Sequence, residues 1–207
     1  MRILFVSDTH GDNTPLDEII INNQNFDLYL HAGDCCCYPQ LLYPFHVVRG
    51  NCDYAEDMLE ELIIPSPFGN ILLRHKSDIT AAYLKQKNIK ILMFGHTHIP
   101  ECRRKNGVAY INPGSISSPR SEYGSTYMRI NIDKENIDVD LCSVIDHKIL
   151  EQYHIFYTDE ELDDLGRIKS DKIRDPYNED ILRIKAEIEK LDDEIIQIRK
   201  QRGEKDE

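Results

Sequence analysis

Over its first 157 positions the chain alternates short apolar runs with clusters of Gly, Asp, Asn and Pro. Ile3-Leu4-Phe5-Val6, Phe26 to Ala32, Phe45 to Val48 and Ile89 to Met93 are nearly unbroken in apolar character, which predicts buried strands. Thr14-Pro15 predicts a helix reaching about Asn23, with Pro in its first turn. Leu62 to Pro65 and Ile71 to His75, separated by Ser66-Pro67-Phe68-Gly69-Asn70, predict a hairpin. Ser77 is expected to cap a helix from about Asp78 to Gln86, with Ala81, Ala82 and Leu84 on its apolar side. Asn106-Gly107 predicts a second hairpin between Cys102–Lys105 and Val108–Ile111. Three more strands are expected near Ser125–Ile132, Ile137–Leu141 and Ile149–Phe156. An α/β first half followed by a mostly antiparallel second half predicts two packed sheets with helices outside.

From Thr158 onward the pattern changes. Residues 158–207 hold 17 of the 37 acidic residues and no Cys, and their apolar positions fall at Ile181, Ile184, Ile188, Leu191, Ile195 and Ile198. Steps of three and four are the seam of a coiled coil, or the inner stripe of an amphipathic helix docked on its own domain. The expected division is therefore a domain over 1–157 and a charged helical extension over 158–207, with self-association through the seam favoured over docking.

At 207 residues the chain is long enough for one substantial core. Its formal charge of −12 argues against a nucleic-acid-binding surface, so nucleic acid is not expected as a held partner. No apolar stretch reaches the roughly 20 residues of a membrane span, so no membrane partner is expected. Of the six cysteines, Cys35-Cys36-Cys37 are consecutive and lack the spacing of a disulfide framework or a zinc knuckle. With no visible leader, the expectation is a reducing, cytoplasmic setting.

The candidate chemistry lies where the apolar runs end. Phe94-Gly95-His96-Thr97-His98 follows one strand. Gly95 is expected to turn the chain sharply, and His96 and His98, two apart in extended chain, are expected to point to one side and converge as neutral imidazole ligands do. Alone, this pair fits two solvated histidines as well as a metal site. Asp8 and His10, in Ser7-Asp8-Thr9-His10-Gly11-Asp12, offer a hard oxygen and an imidazole, a mixture that suits Mn, Fe or Zn better than Ca. Asp34 follows Gly33 at the next strand end, where a carboxylate can bridge two cations. Arg49-Gly50-Asn51-Cys52-Asp53 closes the third strand, and His75 closes the first hairpin. His31 and His46, inside strands, read as structural. A chance turn explains one such strand end far better than it explains three.

Taken in order, Asp8-x-His10, Gly33-Asp34, Gly50-Asn51-Cys52-Asp53, His75 and Gly95-His96-Thr97-His98 resemble the five metal-ligand blocks of the calcineurin-like metallophosphoesterase superfamily. The short spacings, with the Asn112-Pro113-Gly114-Ser115 segment, are similar to its small YfcE-type phosphodiesterases, over roughly residues 1–157. The resemblance implies a four-layer αββα sandwich and two divalent metal ions, with Mn expected first and Ni, Fe, Zn or Mg also compatible. It implies one metal on Asp8, His10, Asp34 and His98, and the other on Asp34, Asn51, His75 and His96. The nucleophile would be a hydroxide bridging the two metals, attacking a small phosphodiester. Asn51 and Cys52 are the implied substrate contacts, and Lys76 is a further candidate from this sequence. Two departures stand out. Cys52 occupies the place where many members have a leaving-group His, which leaves the general acid unassigned. Lys76 stands where Gly is usual, and it either alters the backbone beside the second metal or reaches a substrate phosphate. The rival reading is a scaffold of the same fold, like the retromer subunit. A complete set of seven ligand-type residues favours the enzyme.

Overall fold

The computed structural model of the chain describes residues 1–55 and 57–156, and the expected extension over 158–207 lies outside the described residues. In chain order the elements are β1 (Arg2–Val6), α1 (Thr14–Asn22), β2 (Leu28–His31), a 3-10 turn (Pro39–Leu42), β3 (His46–Val47), β4 (Glu61–Ile64), β5 (Asn70–Arg74), α2 (Ala81–Gln86), β6 (Ile89–Met93), β7 (Pro100–Lys105), β8 (Val108–Pro113), β9 (Thr126–Ile132), β10 (Asn136–Ser143) and β11 (Ile149–Phe156). They form two sheets, ordered β11-β10-β9-β1-β2-β3 and β4-β5-β6-β8-β7.

The unbroken apolar runs have a direct structural cause. Successive strand side chains face opposite ways, and here both faces are covered. Ile3 and Phe5 of β1 meet Ile71 and Leu73 of β5, Ile91 and Met93 of β6, and Ile111 of β8 in the core between the sheets. Leu4 and Val6 point outward onto Leu16 and Ile19 of α1. On the other side Leu72, Leu92 and Phe94 pack with Leu84 of α2. Each fully buried aliphatic or Phe side chain contributes about 1.5–3 kcal/mol, so a polar substitution on either face of these strands is costly. The layers are therefore helix, sheet, sheet, helix, as the resemblance implies. No described helix is long and apolar enough to cross a membrane.

Two expectations are revised. The second helix begins at Ala81 and not near Asp78, because Thr80 is its cap, its hydroxyl accepting from the Tyr83 N–H at 3.2 Å. Residues 77–79 are held in a turn by the Ile79 N–H bond to Ser77, and Asp78 reaches back to Arg74. The Asn106-Gly107 hairpin forms, but its second strand, β8, inserts beside β6 and pairs with it in parallel.

Topology places the site. β1, β2 and β3 run parallel in one sheet, and β5, β6 and β8 run parallel in the other. Their carboxyl ends lie at the same end of the sandwich, the edge where parallel sheets present loops to ligands. The two sets of loops touch. The His75 ring donates from Nδ1 to the Ala32 carbonyl at 2.8 Å, and the His96 N–H donates to Asp8 Oδ2 at 3.0 Å.

Gly95 sits at this junction for want of space. A Cβ there would lie 1.9 Å from Ser7 Oγ and 2.6 Å from Asp8 Oδ2. Its φ is not among the positive values, so close approach, and not the sharp turn expected from the sequence, is what requires Gly. We predict that Gly95→Ala destabilises the fold by about 1–3 kcal/mol, the usual cost of overpacking. Urea unfolding should show an earlier midpoint, and an unchanged midpoint would mean that the β6 loop can retreat from β1 freely.

Candidate metal centre

The ligand-type residues follow the ends of β1 (Asp8, His10), β2 (Asp34), β3 (Asn51, Cys52), β5 (His75) and β6 (His96, His98). Asp8, His10, Asp34, His96 and His98 all have positive φ, between 46° and 67°. Non-glycine residues pay about 1–3 kcal/mol for such backbone, which persists only where the surroundings enforce it. Enforcement comes from bonds between the loops: Asp8 N–H to Gly33 O, His10 N–H to Asp34 O, and Gly11 N–H to Cys35 O, at 2.9–3.1 Å. The chain here is therefore not the extended strand end expected from the sequence.

As a consequence His96 and His98 do not converge on one point. His98 joins Asp8 and His10, with Nε2 3.3 Å from Asp8 Oδ1 and 3.2 Å from His10 Nε2. The His96 ring instead lies against His75, their centroids 5.1 Å apart. His10 Nε2 is 3.9 Å from both Asp8 Oδ1 and Asp34 Oδ2, between the two carboxylates. Asp34 Oδ1 accepts the Cys52 N–H at 2.7 Å, which leaves Oδ2 facing His10 on one side and His75, at 3.4 Å, on the other. The Asn51 side-chain oxygen is 3.0 Å from His75 Nε2. Lys76 is exposed beside His75, and its charge acts on His96, which burial, His75 and Lys76 together hold below the ordinary imidazole value.

The donors are set for a cation. His98 donates from Nδ1 to Ser118 O at 2.6 Å and His75 from Nδ1 to Ala32 O, so in each ring Nε2 faces inward, the nitrogen that becomes a metal donor once it carries no proton. Asp8 is fully buried. Its Oδ2 is bonded by the Ser7 hydroxyl and the His96 N–H, while Oδ1 has no hydrogen-bond partner although it faces His10 and His98. A buried carboxylate oxygen without a donor is expensive, and a divalent ion removes that cost. Burial raises the Asp8 carboxyl above its ordinary value, against the pull of Ser7, His75, His98 and the His96 N–H. Burial acts on Asp34 too, but the His75 hydrogen bond, the Cys52 N–H and the His75 and His10 charges outweigh it and hold that carboxyl well below the usual range. Among the described residues three donor groups pack closely enough to hold a metal: Asp8 with His10 and His98, Asp8 with Asp34 and His75, and His10 with Asp34 and Cys52. The residues present fit divalent metal ions.

Other residues brace the site without facing it. Asp53 accepts from the N–H groups of Asp34 and Gly50 at 2.8 Å and of Cys36 at 2.7 Å, tying two loops together. Asn112 donates to Gly95 O and to the Thr97 hydroxyl, and accepts from the Gly114 N–H. Ser115 donates to Asp8 O at 2.8 Å. These roles were not read from the sequence, although all three residues lie in motifs that it offered. His31, expected to be structural, is fully buried, with burial holding it neutral at a pKa of about 4. Its Nδ1 accepts the Gly33 N–H, so Nε2–H donates to the Thr9 hydroxyl and links the Asp8 and Asp34 loops.

Known proteins resemble the chain in sequence and in fold. Residues 1–135 match the family model of the calcineurin-like phosphoesterase superfamily domain. The probable metallophosphoesterase YsnB of Bacillus subtilis is 31% identical over 146 residues, 65% of this chain and 86% of its own length. Phosphodiesterase YfcE of Escherichia coli is 32% identical over 95 residues, 42% of this chain and 52% of its own. Among solved structures, a Streptococcus pneumoniae protein described as a predicted phosphoesterase superposes with a TM-score of 0.68 at 25% identity, covering 75% of this chain and 97% of that one. Entamoeba histolytica Vps29 in complex with zinc superposes with a TM-score of 0.59 at 22% identity, covering 76% of this chain and all of that one, a likeness of fold. With more than half of its length matched and its ligand residues gathered at one end of the sandwich, the chain belongs to the calcineurin-like phosphoesterase superfamily.

Proposed function

We propose that the chain hydrolyses small phosphodiesters with two divalent metal ions. The observation that carries this reading is the fully buried Asp8, whose unpartnered Oδ1 faces the ring nitrogens of His10 and His98. Asp8, His10, Asp34 and His98 would hold one ion, and Asp34, Asn51, His75 and His96 the other. Asp34 is the shared ligand because its Oδ2 faces both His10 and His75. Mn²⁺ is the first expectation from the family resemblance, and the mix of carboxylate and imidazole donors is compatible with other first-row divalent ions as well. When bound, such ions supply an activated water and neutralise charge on a phosphoryl group.

The chain's own residues do the rest. Ser118 and Ala32 carbonyls fix the His98 and His75 rings, so neither must reorganise when charge develops. Lys76 offers an exposed ammonium beside His75 for a phosphate oxygen, and Asn51, also exposed, and the half-buried Cys52 are the other substrate contacts proposed. The six free thiols fit a reducing compartment.

A scaffold role is the second reading, favoured by the likeness to Vps29 along that protein's whole length. Because that likeness includes a zinc complex, a full ligand set by itself does not separate the two readings, and turnover does. Metal-stripped protein resupplied singly with Mn²⁺, Ni²⁺, Zn²⁺ or Mg²⁺ should hydrolyse bis(p-nitrophenyl) phosphate, and His98→Ala should lose at least about a hundredfold of that rate. Metal-loaded protein without turnover would support the scaffold.

The catalytic domain is proposed to end near residue 157, since YsnB is matched over 86% of its length by only 65% of this chain. The apolar seam from Ile181 to Ile198 would then serve self-association. Truncation after Phe156 is expected to lower the mass seen by light scattering to that of a monomer while turnover is kept. A full-length chain that is already monomeric would contradict the self-association.

A further inference from the structure

We propose that the Cys52 thiol is itself a metal donor, which gives this centre a preference for thiophilic ions such as zinc and cobalt over manganese and magnesium. The inference rests on the metal-centre reading above and deepens it. The sulfur of Cys52 and donor atoms of His10 and Asp34 all lie within 4.8 Å of one another, the same spacing that groups Asp8 with His10 and His98. His10 belongs to both groups, so the sulfur shares an imidazole with the group that contains the fully buried Asp8, whose Oδ1 is orphaned.

The loop holds Cys52 in place from two directions. Its N–H donates to Asp34 Oδ1 at 2.7 Å, and its sulfur accepts the Asn51 side-chain N–H at 3.3 Å. An amide N–H directed at sulfur is the contact that a ligating thiolate receives. The Cys35 and Cys36 thiols behave differently, each donating to a carbonyl, of Cys37 and of Cys52 respectively. The sulfur that joins imidazole and carboxylate donors comes from Cys52 and not from the consecutive triplet Cys35-Cys36-Cys37.

Binding of an ion at this sulfur forms a metal–sulfur bond, breaks the S–H bond and releases that one proton per chain to solvent. Thiolate is a soft ligand, so its presence moves selectivity away from the ranking that oxygen and nitrogen donors would set. A thiolate held by a metal is also withdrawn from proton donation, which separates Cys52 from the role played by His at this place in other members.

Cobalt reports the sulfur directly. Full-length, metal-stripped protein titrated with Co²⁺ should develop visible d–d bands together with a near-ultraviolet thiolate-to-cobalt charge-transfer band. Cys52→Ser and Cys52→Ala should lose the charge-transfer band and keep the d–d bands, whereas Cys36→Ser and Cys37→Ser should keep both. In competition calorimetry the zinc-over-manganese preference should fall by about tenfold or more in both Cys52 variants. A cobalt-loaded wild type without the charge-transfer band, or a Cys52→Ala protein that retains it, would overturn the proposal and leave the metal centre intact. Absence of any cobalt binding would overturn the metal-centre reading as well.

Discussion

The structure turns on the burial of one carboxylate. Asp8 lies where loops of two sheets meet, and its two oxygens have opposite circumstances. Oδ2 is saturated by Ser7 from its own loop and by the His96 N–H from the other sheet, so it fastens β1 to the end of β6. Oδ1 is left to two imidazoles and no hydrogen-bond donor. The close packing at Gly95, the left-handed backbone at Asp8, His10, His96 and His98, and the Ser115 and Asn112 braces all serve to hold that arrangement. Such strain is found where a structure must keep groups in place for a ligand.

The sandwich supplies the rigidity that this burial requires. Strands covered on both faces are fixed in register, because a shift by one residue would exchange the inter-sheet core for the outer faces of Leu4, Val6, Leu72 and Leu92. Loops leaving fixed strands at one edge can then carry polar and strained residues that would not hold by themselves. Chemistry and packing are thus divided along each strand, apolar along its length and ligand-bearing just past its end.

Much of this is legible in the sequence, for identifiable reasons. Continuous apolar runs give the strands, and the repeated placement of Asp, His and Asn directly after them gives the ligand set. What escapes is whatever depends on contacts distant along the chain. That β8 lies parallel to β6 follows from packing and not from the Asn106-Gly107 turn. The separation of His96 from His98 follows from positive φ at both, which residue type does not announce. Asp53 was visible only as part of a motif, since its partners Asp34 and Cys36 come from a different loop. The second helix is capped by Thr80 and not by Ser77, because the Thr80 hydroxyl is the one that accepts a first-turn N–H, that of Tyr83.

The central claim is that these side chains form a centre for two ions that share Asp34. The most direct measurement is the number of divalent ions retained per chain, by elemental analysis after stripping, reloading and exhaustive dialysis, for the wild type and for Asp34→Asn. The account predicts two ions per folded wild-type chain and fewer than one in the variant. A wild type that retains none, or a variant that retains two as firmly, would contradict it.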